Sequence, residues 1–123
     1  MGLDLGEHVR VRLESYTLRH SSQQGRALRS FRVDASNASP PQADADWTAL
    51  HTVVNDARLG VAEHSSASWD LLEPAAQAVG EAYRYFRVVK TGPDAQGDDF
   101  LHISGIELYG HVRMCLDMRD PCA

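Results

Sequence analysis

Four basic side chains crowd one short stretch of an otherwise acidic chain. Arg19, His20, Arg26 and Arg29 bracket the polar loop Ser21–Ala27. Guanidinium forks bind carboxylates bidentately, so this rim is a candidate site for an acidic peptide or a carboxylate. Elsewhere, Asn55 and Asp56 end a strand-like run, and Trp69 centres another. An Asn-Asp pair commonly makes a turn capped by its own side chain. Beside an exposed Trp69 the pair would also offer a polar ligand, such as a sugar, hydrogen bonds and a stacking face.

Other chemistries find no matching spacing. There is no Gly-x-Ser-x-Gly, no glycine loop to cradle phosphate and no Cys-x-x-Cys, so catalysis and a cofactor are not expected. The histidines (His8, His20, His51, His64, His102 and His111) lack metal-ligand spacing. Asp44-Ala45-Asp46 imitates the start of a calcium loop without its later glycine and glutamate. Asp94, Asp98 and Asp99 are a second acidic group that a calcium ion would need. No metal is expected at either.

The chain that must position these residues has 123 of them, enough for one domain. Its net charge of −5 gives no general attraction to nucleic acid or to an anionic membrane. No apolar run approaches the roughly 20 residues of a membrane span. The opening MGLDLGEHVRV lacks a basic region followed by an apolar one, which predicts an intracellular protein, cytoplasmic or nuclear. Cys115 and Cys122 read as free thiols, with a small tail disulfide as the alternative.

Strand signals recur along the chain with turn chemistry between them. Leu3–Leu5, Val9–Leu13 and Tyr16–His20 come first. Leu28–Ser36 follows, with Phe31, Val33 and Ala35 on one face and Ser30, Arg32 and Asp34 on the other. Pro40 and Pro41 make Asn37–Asp46 a loop. Trp47–Val54 is the next strand, and Ala67, Trp69 and Leu71 alternate with polar residues in another. Glu73–Glu81 reads as a helical turn. Tyr83–Thr91 and Phe100–Met114 are the longest runs. Were these two to pair, Arg87 would meet Glu107 in an ion pair that sets register. Trp47, Trp69 and the tyrosines read mostly as core. Seven or eight short strands predict an all-β, antiparallel, jelly-roll-like sandwich.

The order LDLG, YTLRH, ALRSFRVDAS, DWTALHTVVND, SASW, YRYFRVVKTG and ISGIELYG resembles the discoidin-like, galactose-binding-like sandwich of certain HECT-type ubiquitin ligases and BTB-domain proteins. It is similar, more distantly, to the coagulation-factor C-type domains. The resemblance implies about eight strands over residues 3–112, a tail over 113–123 and a non-catalytic binding role. Such domains carry a further segment ahead of the LDLG-type strand, so the expectation is a sandwich lacking it or completed by another chain. The function expected is a protein-interaction module, recruiting a partner or substrate or serving as a subunit of a multi-subunit complex. A carbohydrate-binding module is the alternative.

Overall fold

The computed structural model describes residues 1–71, 81–98 and 101–114. Strands β1 (Gly2–Asp4), β2 (Val9–His20), β3 (Phe31–Ser36), β4 (Thr48–Val53), β5 (Ser66–Asp70), β6 (Tyr85–Lys90) and β7 (Ile103–Met114) are joined by loops. One 3-10 turn spans Asp44–Asp46. The strands form two antiparallel sheets, ordered β1-β6-β3-β4 and β5-β2-β7. This is the expected all-β sandwich, with seven strands among the described residues where about eight were expected. Glu73–Gly80 and both cysteines lie outside the described residues.

Alternation builds the interior. Phe31, Val33 and Ala35 turn inward from β3, and Phe86 and Val88 from β6. Leu13, Tyr16 and Leu18 of β2 and Trp69 of β5 face them from the other sheet. The apolar surface these side chains remove from water is the main force holding the layers together. An aromatic cluster joins the two sheets. Trp69 stacks on Tyr16 with ring centroids 5.5 Å apart and meets Phe31 edge-on at 5.1 Å. The Tyr16 hydroxyl crosses the layer to share a 2.6 Å hydrogen bond with Nδ1 of His51 on β4.

Two expectations about the strands are corrected. Val9–Leu13 and Tyr16–His20 are halves of one strand, with Glu14 as the extra residue of a bulge opposite Gly110 and Tyr109. At Gly110 a Cβ would lie 2.0 Å from the Arg12 carbonyl oxygen, so only glycine fits beside that bulge. The strands from the two longest apolar runs of the sequence, β6 and β7, do not pair. β6 lies between β1 and β3, whereas β7 pairs with β2 in the opposite sheet. Glu107 therefore stands across from Thr17, and Arg87 across from Asp34. β6 and β7, consecutive in the chain, therefore lie in different sheets and form no hairpin.

Burial pulls the pKa of His51 below the ordinary histidine value of 6.5, and the Arg58 charge acts in the same direction. The fold thus favours the neutral ring. Above 6.5 the imidazole is neutral in both folded and unfolded chains, and its contribution to stability is complete. As the pH falls below 6.5 the unfolded chain takes up a proton that the fold resists, and stability is lost down to the lowered folded value. Denaturant midpoints should therefore drop between about pH 7 and about pH 5. His51→Gln should flatten that dependence; an identical pH slope in both proteins would contradict it.

Candidate functional site

The outer face of the four-stranded sheet carries a buried carboxylate held by two arginines. Asp34 points away from the core, yet it is only 1% exposed. Arg32, two residues earlier on the same face, donates from Nε at 2.6 Å and from Nη2 at 3.0 Å. Arg87, directly opposite on β6, donates from Nε at 2.9 Å. Bidentate charge-assisted bonds of this kind are the strong ones, and they are what a buried carboxylate requires. The bond to Asp34 also raises the Arg32 pKa above its ordinary value.

The neighbouring strand is placed by a bulge. β3 and β4 pair Val33 with His51, then Asp34 with Ala49, so Leu50 is the extra residue. His51 and Leu50 both turn toward the core, and the alternation then restarts one residue out of phase. Ala49 and Trp47 consequently face outward beside Asp34. The guanidinium of Arg87 lies over the Trp47 ring, 4.4 Å from its centroid.

A loop closes this arrangement from the side. The Ser36 hydroxyl donates to the Asp46 carbonyl at 2.6 Å. The Asp46 carboxylate accepts the amides of Gln42 and Ala43 at 2.9 and 3.0 Å. Those amides hold Asp46 below the usual carboxylate range. The 3-10 turn so fixed presents Asp44, whose fully exposed carboxylate lies 3.6 Å from Nη2 of Arg87. Arg32, Asp34, Asp44, Trp47, Ala49 and Arg87 line a hollow of about 320 Å³. Two fixed guanidiniums share one buried carboxylate there. Among the described residues, the remaining positive charge is met by the solvated Asp44.

The residues singled out from sequence sit elsewhere. The loops after β2, β4 and β6 gather at one end of the sandwich and are tied to one another. Gly25 N donates to Val61 O at 2.9 Å, Asp56 N to Arg29 O at 2.8 Å and Ala95 N to Ala27 O at 3.0 Å. His20 is wholly buried, its ring nitrogens bonded to the carbonyls of His102 and Gln23 at 3.1 and 2.8 Å. Arg26 is paired with Asp98 at 2.7 Å. Arg19 is exposed on β2, opposite Ser66. His20 and Arg26 thus have partners within the fold.

Asn55, Asp56 and Trp69 do come together. Asn55 takes a left-handed conformation with φ 49°, and its amide donates to the Ser30 hydroxyl at 2.9 Å. Asp56 accepts the Arg58 amide at 2.7 Å and the Trp69 indole at 3.2 Å. Trp69 is 3% exposed. Its ring is part of the core, which corrects the notion of an exposed face for a sugar. The other correction is Trp47, read as core and found on the outer face.

Sequence reasoning passed over Asp34, Arg32 and Arg87 as a group. Their signal was present in the alternation of β3, which placed a carboxylate and a guanidinium on one face. Their union with Arg87 required the pairing of β3 with β6, and that of Trp47 required the bulge.

Asp34→Ala should destabilise the fold by roughly 2–3 kcal/mol, because it leaves two partly buried guanidiniums without their anion. Denaturant unfolding measures this, and a loss below about 0.5 kcal/mol, the range of an ordinary surface substitution, would contradict it.

Comparison of the chain with protein-family models finds no match, and comparison with curated proteins finds none.

Proposed function

We propose that this chain is a non-catalytic protein-interaction module, recruiting a partner or serving as a subunit of a larger assembly, and that it takes an acidic segment of its partner in the Arg87–Trp47 hollow. One observation carries the reading. The Arg87 guanidinium is fixed before any ligand arrives: Asp34 holds Nε, the Trp47 ring supports its plane, and Nη2 faces out toward Asp44.

Preorganisation matters because an ordinary surface arginine loses side-chain freedom when it binds. Here that ordering is already complete. An incoming carboxylate would displace the solvated Asp44 and take Nη2, while the edge of Trp47 and Ala49 would meet the adjoining apolar part of the peptide. Arginine and tryptophan are also the residue types that most often dominate protein interfaces. The earlier expectation of an acidic ligand is kept; its address moves from the loop end to the sheet face. The resemblance to discoidin-like domains agrees with a binding role and specifies no ligand here.

Binding of fluorescent Asp- and Glu-containing peptides tests this. Arg87→Lys keeps the charge but loses the planar fork, and Trp47→Leu removes the support. Each should weaken binding by about tenfold, the equivalent of one charge-assisted hydrogen bond. Asp44→Asn removes the internal competitor and should strengthen binding. Unchanged affinity in the first two variants, with melting temperatures near that of the parent, would refute the assignment.

A further inference from the structure

We propose that a second copy of this chain adds to β7 along the edge away from β2, antiparallel and centred on Gly110. Among the described residues, β7 is the terminal strand of the β5-β2-β7 sheet, bonded to β2 on one side only. At 12 residues it is far longer than the other edge strands, which have 3 in β1, 5 in β5 and 6 in β4. A long unpaired edge is a template for strand addition, and proteins ordinarily blunt one with proline, short length or cover. Ile103–Met114 contains no proline. Tyr109, Val112 and Met114 are 49, 62 and 54% exposed.

The sequence of β7 is complementary to itself in one register. A two-fold axis through Gly110, normal to the sheet, sets residues equidistant from Gly110 opposite each other. On the inner face Leu108 then meets Val112, and Ile106 meets Met114. On the outer face Tyr109 meets His111, and Glu107 meets Arg113, twice by symmetry. Opposed opposite charges stabilise a strand pair and like charges weaken it. Moving the axis to Tyr109 or His111 separates Glu107 from Arg113 in both copies. The single chain leaves Arg113 with an adverse neighbour, since it stands opposite Arg10 on β2. A partner's carboxylate at this point offsets that repulsion. The three-stranded sheets of two copies would then run into one continuous sheet, covering Val112 and Met114. This surface lies on the opposite sheet from the Arg87 hollow and does not depend on it.

Sedimentation equilibrium of the full chain over a range of concentrations tests the pairing. The expected result is a monomer–dimer equilibrium that Arg113→Glu weakens at least tenfold. The double variant Glu107→Arg/Arg113→Glu should restore it, because the charges are exchanged rather than lost. Glu107→Lys gives an independent single variant, setting like charges together from the other side, should Arg113→Glu fail to fold by circular dichroism. A monomer at every concentration would overturn the proposal. So would a dimer indifferent to the single reversals, or one that the double variant does not recover.

Discussion

The carboxylate of Asp34 is almost wholly withdrawn from water, and two guanidiniums reach it from β3 and β6. Such a charge is strongly unfavourable alone and tolerable only with its hydrogen bonds complete. The demand fixes the register of β3 on β6, since Asp34 and Arg87 stand directly across from each other. It also fixes the two arginines, which would otherwise sample many rotamers over an open sheet. A rigid pair of cationic groups lining a hollow in the sheet face is the consequence, and the binding proposal follows from that rigidity.

The opposite side of the same sheet meets a different requirement. Trp69, Tyr16 and Phe31 interlock between the layers, and the Tyr16–His51 bond draws β4 against β2. The bulge at Leu50 serves both faces. It lets His51 and Leu50 both point inward, and by shifting the phase it turns Trp47 outward to lie under Arg87. The end of the sandwich that carries the long loops is bound by backbone hydrogen bonds and the Arg26–Asp98 pair. Its polar residues are largely occupied with holding the loops to one another.

The all-β class was legible because apolar and polar residues alternate so regularly in β2, β3 and β5. Asn37–Asp46 was legible as a loop because of its prolines. The sheet in which each strand sits was not, since alternation marks faces and says nothing of neighbours. That is why Arg87 was assigned to Glu107 rather than Asp34. Bulges hid the remainder: a one-residue shift at Leu50 reverses the side on which Trp47 emerges. Tryptophan spacing likewise left Trp69 open to either environment, and burial against Tyr16 and Phe31 decided it. The basic loop drew notice through composition alone, where His20 and Arg26 turned out to have structural partners.

Nuclear magnetic resonance titration with a short acidic peptide bears most directly on the Asp34-fixed guanidinium as a recognition group. Side-chain resonances of Trp47 and Arg87 should move together and saturably, with those of the loop end, Arg19, Arg29 and Asn55, left in place. Shifts confined to the loop end, or none at Trp47 and Arg87, would contradict the account.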